Sequence, residues 1–466
     1  MDSHSPSAAP AADAQRQGGL ASGAEVAAGR RHSVAHGSRE RVTARPRAIV
    51  VVTGSELVRG ERTDRNGPFL ASEALRLGLE PARIVIVGDA PDELEAALRE
   101  GVTADACLVS GGLGPTHDDR TVEMVARALG RGVHVDAELE QQIDAVSRAA
   151  AERLKRPYAD FQDGVTKQAT IPDGAVSLGL AGTAPGLLAE HDGGRVVVVL
   201  PGPPSELQRL WPNALETDAF RALLARTHPP GRRVLRFFGV SESAVARALA
   251  EAGGDGDGVE ATICARDFEI HVDLVVDPGA DARADALEAA LLPPIERWLF
   301  SRDERPIEEH VLSLCRAKGL RLATAESETG GTVAARLTSI PGASEVFVGG
   351  VVAYANEVKH AALGVPEELL AAHGAVSAEV AEAMARGARE QLGADVAVAV
   401  TGIAGPGGGT ADKPVGLVYL HVEGPDGSAA REFTFPGDRN AIRVRSAVMA
   451  LHLVRRLLTR SRDEAV

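Results

Sequence analysis

Short runs of consecutive apolar residues recur along the chain and alternate with stretches that have helical spacing. The runs AIVVV (48–52), ARIVIV (82–87) and RVVVVL (195–200) each lead into a glycine or proline turn, as strands buried on both faces of a sheet do. Between the first two, GPFLASEALRLGL (67–79) has the spacing of an amphipathic helix. Strands that alternate with helices predict an α/β fold, a parallel sheet with helices on both faces.

The pattern of apolar and polar residues changes twice along the chain, which predicts three folded domains. After about residue 217 the pattern favours a small α+β unit with alternating strands, and after SRDERP (301–306) the α/β pattern returns. The N-terminal stretch is rich in Ala, Ser, Gly and Arg and buries too little apolar surface to offset its ordering entropy. The predicted boundaries are a disordered tail at 1–46, an α/β domain at 47–216, an α+β domain at 217–300 and an α/β domain at 301–466.

Composition and charge narrow the function classes. The 466 residues carry a net charge of −15, which argues against a nucleic-acid-binding protein because such a protein presents a basic face. The chain has no run of about 18 apolar residues and no apolar signal-peptide core, so no membrane span and a cytoplasmic location are expected. Its three cysteines, Cys107, Cys264 and Cys315, are scattered and odd in number, which predicts neither a disulfide framework nor a cysteine zinc site.

The segment TAESETGG (324–331) places an unusual number of polar groups at one predicted strand-to-helix turn. Ser327 would be exposed there as a nucleophile, but a serine needs a base. No histidine lies in the neighbouring motifs, and Lys359 is the better candidate because a desolvated lysine can lose its proton. Tyr354 could relay a proton or orient the serine. The alternative is a helix-capping Ser327, a surface Lys359 and a Tyr354 packed in the core.

Other groups in the last domain could bind the rest of a substrate. The glycine pair Gly330 and Gly331 could free backbone N–H groups for an oxyanion. The loop TGIAGPGGG (401–409) could bind phosphate through its amides, although glycine-rich loops are common. At the start of the last helix, Arg439 and Arg443 could pair with a ligand phosphate, or could simply be surface cations.

The first domain has a second glycine-rich turn, SGGLGPTHDD (110–119). Gly112 and Gly114 allow a close backbone approach to phosphate, and Asp118 and Asp119 could hold a divalent cation. The alternative is a plain helix start that Thr116 or Asp118 caps. The motif GSELVRGERTDRN (54–66) adds Glu56, Asp64 and Asn66 at the same sheet edge. Neither stretch matches GxxxxGK[ST], so a standard nucleotide kinase is not expected.

Six motifs in this order resemble the CinA family of competence/damage-inducible proteins. They are SGGLGPTHDD, LPGPPSEL, TAESETGG, GGVVAYANEVK, HGAVS and AVTGIAGPGGGTADKPVG, and the resemblance runs from about residue 47 to the C-terminus. It implies a MoaB/MogA-like first domain, a KH-like middle domain and a C-terminal amidase that converts nicotinamide mononucleotide to nicotinic acid mononucleotide and ammonia. In some members the first domain hydrolyses ADP-ribose with a divalent metal, and members are typically homodimers.

The resemblance also implies roles for individual residues. The amidase serine, its lysine partner and a supporting tyrosine fall on Ser327, Lys359 and Tyr354. We expect no cofactor at the amidase site, a divalent metal ion in the first domain at Asp118 and Asp119, and small nucleotides rather than nucleic acid or membrane as partners. The expected substrate-binding residues are Thr329, Gly330, Gly331, Asn356, Thr401, Gly402, Arg439 and Arg443 in the last domain, with Arg443 favoured for phosphate, and Asp64, Asn66, Gly112, Gly114 and Thr116 in the first.

Two positions depart from the family pattern. Glu328 stands where the family usually has cysteine, and Arg65 where it usually has a smaller residue. If the Glu328 carboxylate points inward, it disfavours an oxyanion and a phosphate, whereas pointing outward in the first helical turn it is harmless. An altered pocket is expected around Arg65.

Three hypotheses therefore remain at this point. The first is a two-activity hydrolase of pyridine-nucleotide salvage. The second is a nucleotide-binding or regulatory protein whose amidase is impaired by Glu328. The third, a molybdenum-cofactor enzyme, rests on fold analogy alone.

Overall fold

The computed structural model describes residues 45–459. Most of the predicted tail therefore lies outside the described residues. Its last two residues are an exception, since Arg45 pairs with Glu80 at 3.0 Å and with Asp277 at 2.7 Å. Arg45 therefore joins the first and the middle domains.

The first domain is built on a six-stranded sheet in the order β2-β1-β3-β8-β7-β6. Its elements are β1 (Arg47–Thr53), α1 (Ser55–Val58), α2 (Asn66–Arg76), β2 (Glu80–Val87), α3 (Pro91–Gly101), β3 (Ala106–Ser110), α4 (Thr121–Ala128), β4 (Val133–Val135), α5 (Ala137–Leu154), α6 (Ala159–Gln168), β5 (Thr170–Pro172), β6 (Ala175–Leu180), β7 (Pro185–His191), β8 (Arg195–Leu200), α7 (Pro204–Leu215) and α8 (Asp218–Leu224).

Alternate residues of β1 enter the cores on opposite faces of this sheet. Ile49 and Val51 pack with α3, α4 and α5, whereas Val50 and Val52 pack with α2, α7 and α8. This arrangement confirms the predicted three layers. The predicted domain boundary at residue 216 falls before α8, whose buried side chains belong to this core.

The alternation of strands and helices predicts a parallel sheet, but the sheet of the first domain is mixed. Strands β1, β2, β3 and β8 are parallel, but β7 runs antiparallel to both β6 and β8. Short turns join these last three strands, and such turns connect only antiparallel neighbours.

The middle domain is a four-stranded antiparallel sheet, β10-β11-β9-β12, covered by two helices. Residues of β11 alternate between buried and partly exposed, as expected of a sheet with one covered face. Its elements are β9 (Gly231–Phe238), α9 (Glu242–Glu251), β10 (Val259–Arg266), β11 (Glu269–Val276), α10 (Asp281–Leu291), a 3-10 turn (Glu296–Trp298) and β12 (Leu299–Ser301).

The last domain has a five-stranded sheet in the order β14-β13-β15-β16-β17, of which the first three strands are parallel. In β15 the valines face the core that contains α11 and α16, and the smaller alanines face α15. Its elements are α11 (Ile307–Lys318), β13 (Leu322–Glu326), α12 (Thr332–Thr338), a 3-10 turn (Ala343–Glu345), β14 (Phe347–Val352), α13 (Asn356–Leu363), α14 (Glu367–His373), α15 (Ala378–Gln391), β15 (Val396–Gly402), β16 (Leu417–Gly424), β17 (Gly427–Thr434) and α16 (Arg439–Thr459).

These sheets confirm the α/β class with a smaller α+β unit between two α/β domains. None of the helices between residues 45 and 459 is long and apolar enough to cross a membrane.

Candidate active site

The motifs predicted to carry chemistry in the last domain meet at the carboxyl ends of its three parallel strands. Glu326, the last residue of β13, lies in register with Val352 of β14 and Val400 of β15. The next residue, Ser327, donates its backbone N–H to the carbonyl of Val400 at 2.9 Å. The serine thus stands at the centre of this sheet edge, where ligands of α/β folds bind.

Glu326 shapes the turn that follows the strand. Its buried carboxylate accepts hydrogen bonds from the N–H groups of Val333 at 3.0 Å and Ala334 at 2.8 Å, the start of α12. The structure therefore contradicts the alternative that Ser327 caps this helix. The sequence reasoning missed Glu326, because a carboxylate that caps a helix from seven residues upstream matches no local capping pattern.

The glycine pair makes the turn possible. Gly330 and Gly331 have φ of 59° and 92°, which side chains rarely tolerate. The N–H of Gly330 donates to the carbonyl of Ser327 at 3.1 Å, so this amide closes the turn and is not free for an oxyanion.

Lys359 is buried beside the serine. Only 1% of it is exposed, and its Nζ lies 3.2 Å from Ser327 Oγ, 2.8 Å from the carbonyl of Ala353 and 3.2 Å from the carbonyl of Tyr354. Burial lowers its pKa, although the carboxylates of Glu328 and Glu357 oppose this shift. A neutral amine can donate to the two carbonyls and direct its lone pair at the serine hydroxyl. The alternative of a surface lysine is wrong.

The side chain of Tyr354 is not packed in the core. It is 60% exposed, so it is not a core residue, and its hydroxyl accepts a hydrogen bond from Arg439 at 2.8 Å. Its backbone carbonyl, rather than its ring, contacts Lys359. Its predicted role as a proton relay or as the group that orients the serine stays a prediction.

The two arginines of α16 approach the site from different directions. Arg443 donates to the carbonyl of Thr329 at 2.8 Å and to Thr332 Oγ1 at 3.1 Å, so it rests on the serine turn. Arg439 joins the Tyr354 hydroxyl to the carbonyl of Gly405 in the glycine-rich loop, at 2.8 Å each. Both arginines thus contact segments that follow strands of the sheet.

The other expected substrate-binding residues differ in accessibility. Thr401 is buried and its Oγ1 donates to the carbonyl of Ala375 at 2.7 Å, so this side chain has a structural partner. Thr329 is also buried, and its Oγ1 has no hydrogen-bond partner among residues 45–459. Asn356 is exposed at the first position of α13. Gly402 lies against Glu328, since a Cβ there would come within 3.1 Å of its carboxyl carbon.

Glu328 points into the protein, the first of its two predicted orientations. Only 4% of the residue is exposed, and neither carboxyl oxygen has a hydrogen-bond partner in the described part of the chain. Ser446 lies beside the carboxyl, but its hydroxyl donates to the carbonyl of Ile442 at 2.8 Å. Burial raises the pKa of Glu328 to about 7, and the charge of Lys359 only partly opposes the shift. The carboxyl is therefore largely protonated below neutral pH.

In the first domain the structure separates the predicted ligand residues into two cavities. Asp64 and Asn66 line one of about 600 Å³, together with Arg65. Asn66 Nδ2 donates to Ser110 Oγ at 2.8 Å and to the carbonyl of Gly202 at 2.7 Å, whereas the Asp64 carboxylate accepts from the N–H groups that begin α2. The amide of Asn66 thus ties together loops that line this cavity.

Asp119, one of the two predicted metal ligands, lies at the other cavity. Gly112, Gly114 and Asp119 line this space of about 250 Å³. Asp118 is exposed and Asp119 is half-buried, and both accept from the Thr116 hydroxyl, a contact that lowers the pKa of Asp118. Within residues 45–459, no group of three or more His, Cys, Asp or Glu residues is arranged to hold a metal ion.

The alternative role of Thr116 or Asp118 as a helix cap is also wrong. Helix α4 begins at Thr121, and among the described residues no capping side chain accepts a hydrogen bond from its first N–H groups. Both aspartates instead close their own turn around Thr116.

Two family models match the chain. The CinA C-terminal domain matches residues 304–458 and a probable molybdopterin binding domain matches residues 49–219. These ranges contain both glycine-rich turns and the Ser327–Lys359 pair.

The chain is also similar to complete relatives. It is 45% identical over 433 residues to a CinA-like protein of Mycolicibacterium paratuberculosis, covering 89% of this chain and 98% of the relative. A CinA-like protein of Mycobacterium tuberculosis is 44% identical over 425 residues, covering 89% and 97%. Among solved structures, the competence/damage inducible protein CihA of Agrobacterium tumefaciens is 42% identical, with a TM-score of 0.32, and covers 34% of this chain and 100% of that one.

Proposed function

The chain belongs to the CinA family, and from that premise we propose that its last domain is a nicotinamide-nucleotide amidase. It would hydrolyse nicotinamide mononucleotide to nicotinic acid mononucleotide and ammonia, a step of pyridine-nucleotide salvage. The observation that carries the proposal is the buried Lys359 amine, 3.2 Å from the hydroxyl of Ser327. A serine and a desolvated lysine form the minimal pair for acyl transfer.

The proposed reaction proceeds through an acyl-enzyme. Ser327 Oγ attacks the carboxamide carbon while Lys359 Nζ accepts the hydroxyl proton. The tetrahedral intermediate then collapses, and the lysine returns the proton to the leaving nitrogen, which departs as ammonia. Water attacks the resulting ester and gives its proton to Lys359, and the protonated lysine restores the serine hydroxyl as the acid leaves.

The first experiment is a product assay on the purified full chain. Incubation with nicotinamide mononucleotide should release ammonia and nicotinic acid mononucleotide in equal amounts, with an acyl adduct on the peptide that contains Ser327 after rapid quenching. Ligand binding without release of ammonia would contradict the amidase and favour the nucleotide-binding or regulatory alternative.

We propose that Arg443 and Arg439 bind the phosphate of the substrate. We expect Arg443→Ala to raise KM for nicotinamide mononucleotide by about ten- to a hundredfold, because a charge-assisted hydrogen bond contributes about 1.5–3 kcal/mol. Arg439→Ala should have the smaller effect, since Arg439 is exposed to solvent, which weakens its attraction for an anion, whereas Arg443 is half-buried. The measurement is steady-state KM and kcat for each variant.

The control is the corresponding nucleoside, which lacks the phosphate. Its KM should be nearly the same in the wild type and both variants. An equal loss with nucleoside and nucleotide would show that Arg443 acts on the turn through Thr329 rather than on phosphate.

A second function, nucleotide binding by the first domain, is favoured by the cavity of about 600 Å³. It lies at the carboxyl end of β1 and combines Arg62 and Arg65 with Glu56 and Asp64, so it offers cations for phosphates and carboxylates for ribose hydroxyls. We expect ADP-ribose to bind in calorimetry and Arg62→Ala to weaken it. Undetectable binding of ADP-ribose would contradict this assignment.

Hydrolysis of ADP-ribose would need a divalent metal ion, and the described residues do not fit one. Asp118 and the half-buried Asp119 both bind the hydroxyl of Thr116, and no third ligand is arranged beside them within residues 45–459. We therefore propose binding and derive no metal-dependent step. The molybdenum-cofactor hypothesis has the fold and the family match of the first domain in its favour.

A further inference from the structure

Two of the sequence motifs in the last domain have no role in the proposed mechanism. They are HGAVS (373–377), between α14 and α15, and ADKPVG (411–416), the end of the glycine-rich loop that follows β15. One side chain, Lys413, brings the two motifs into contact. Its Nζ donates to the carbonyl of His373 at 2.6 Å and to the carbonyl of Val376 at 2.7 Å. The ammonium group therefore joins two loops that are far apart in sequence.

The carbonyls of residues 373–376 all accept hydrogen bonds from side chains. Lys413 binds the first and the last of them, Ser377 Oγ donates to the second at 3.1 Å, and Thr401 Oγ1 donates to the third at 2.7 Å. At the end of a helix and beyond it, carbonyls lack the partners that a continuing helix would provide. The conformation of this segment therefore depends on these side chains, and Lys413 supplies two of the four hydrogen bonds.

Lys413 is itself held in place by a short turn within the loop 403–416. Its N–H donates to Thr410 Oγ1 at 3.0 Å, and the N–H of Thr410 donates to its carbonyl at 2.8 Å. Nearer the start of the loop, the carbonyl of Gly405 accepts from Arg439, one of the two arginines proposed to bind phosphate. One loop thus carries a contact to a phosphate-binding candidate and the lysine that ties it to the neighbouring segment.

Both segments lie at the sheet edge that presents the serine. The N–H of Ser327 donates to the carbonyl of Val400 at 2.9 Å, and the next residue, Thr401, binds the carbonyl of Ala375. In the strand order β14-β13-β15, Ser327 follows the central strand and Lys359 comes after β14. The joined loops therefore border the serine on the β15 side, and the catalytic lysine comes from the β14 side.

We propose that Lys413 is a positioning residue, which holds residues 373–377 and 403–416 together as the wall of the substrate pocket on the β15 side of Ser327. The inference rests on the proposed function for the identity of the substrate. Lys413 acts through the two loops and takes no part in proton transfer. Without its hydrogen bonds the wall is formed in only a fraction of the molecules, so the apparent KM rises by the inverse of that fraction, whereas kcat at saturating substrate is retained.

The kinetic test compares two substitutions of this lysine in the full chain. Lys413→Met keeps an unbranched side chain but removes the donors, and it should raise KM for nicotinamide mononucleotide by about ten- to a hundredfold, since a misplacement of about 1 Å can cost about a hundredfold. The value of kcat should change little. Lys413→Arg retains the charge and several N–H donors, so its KM should lie closer to that of the wild type.

The matched control is Arg431→Met in the same domain. Arg431 also donates to a carbonyl, that of Ala430 at 2.7 Å, but the acceptor is its neighbour on β17 and no second loop is involved. This variant should keep the KM of the wild type.

A second measurement, hydrogen–deuterium exchange, observes the wall without depending on turnover. Peptides that cover residues 373–377 and 403–416 should exchange faster in Lys413→Met than in the wild type, because their amides open more often when the two loops are no longer joined. Peptides from β13 should exchange at the same rate in both proteins. Faster exchange throughout the domain would show a general loss of stability and would overturn the positioning role.

The outcomes separate this inference from the amidase proposal. Unchanged exchange in both loops, an unchanged KM, or a loss confined to kcat would overturn the role of Lys413 and leave the amidase standing. If the wild type binds the nucleotide without releasing ammonia, the amidase proposal fails, and Kd from calorimetry replaces KM; an equal Kd in Lys413→Met would then overturn the inference too. A wild type that does not bind the nucleotide would contradict both.

Discussion

Lys359→Met is expected to reduce ammonia release by about 10²–10⁴-fold, the usual contribution of a positioned general base. Methionine fills a similar volume, but it cannot accept the proton of Ser327. The measurement is kcat for nicotinamide mononucleotide, accompanied by circular dichroism to show that the domain is folded. Ser327→Ala should be at least as inactive, because the two residues act as a unit.

The Lys359→Arg variant tests whether Lys359 acts as a base or only as a fixed positive charge. Arginine keeps the charge and the hydrogen-bond donors but is not deprotonated in proteins, so this variant should be inactive too. Lys318→Met, a change at the exposed C-terminal end of α11, should keep wild-type turnover. An active Lys359→Arg variant would mean that the lysine only stabilises charge, and the mechanism would then require a different base.

The second large effect is a loss of stability in acid at the junction of the middle and last domains. His452 of α16 is fully buried, and its Nε2 lies 2.9 Å from Glu269 of β11. The ring stacks on Phe238 with a centroid distance of 3.5 Å. Glu269 also binds Arg236 at 2.6 Å and His271 at 3.0 Å. The network connects α16, the helix that carries Arg439 and Arg443, to the middle sheet.

Burial lowers the pKa of His452 from 6.5 to about 4, although Glu269 opposes the shift. Below pH 6.5 the unfolded chain therefore binds a proton that the folded protein excludes, and stability falls as the pH drops from about 6.5 towards 4. The expected loss is about 2 kcal/mol between pH 7 and pH 5, at 1.36 kcal/mol for each pKa unit. Urea unfolding at the two pH values measures it.

Glu269 affects the stability of the protein at lower pH than His452 does. Burial alone would raise its pKa, but hydrogen bonds from His271 and His452 and the charge of Arg236 outweigh burial and lower it to about 2. Its stabilisation is present above about pH 4.5 and is lost below that, so it contributes little to the difference between pH 7 and pH 5. Burial also lowers the pKa of His310 and of His421, so the share of His452 is read from the difference between the wild type and a His452 variant.

His452→Gln should remove most of this pH dependence while keeping a donor for Glu269. His134→Gln, at an exposed histidine that pairs with Asp173, should behave like the wild type. An unchanged pH dependence in His452→Gln would assign the acid sensitivity to other histidines.

Much of the architecture follows from local patterns. The buried runs in β1, β8 and β15 are recognisable because valine-rich stretches that end in a turn have few other stable conformations. The two-fold periodicity then assigns alternate side chains to opposite cores. The antiparallel direction of β7 could not be predicted from the sequence, because a short buried strand has the same residue pattern in either direction.

The sequence by itself determined which polar residues stand at the strand ends of the last domain, because that order depends only on neighbours along the chain. Only the tertiary structure decided their chemical states. Lys359 became a buried partner of Ser327 and Glu328 an enclosed carboxyl because of side chains that are far away in sequence. Tyr354 became a rim residue bound to Arg439 for the same reason. Burial and charge are properties of three-dimensional neighbours, and they set the pKa values on which this chemistry depends.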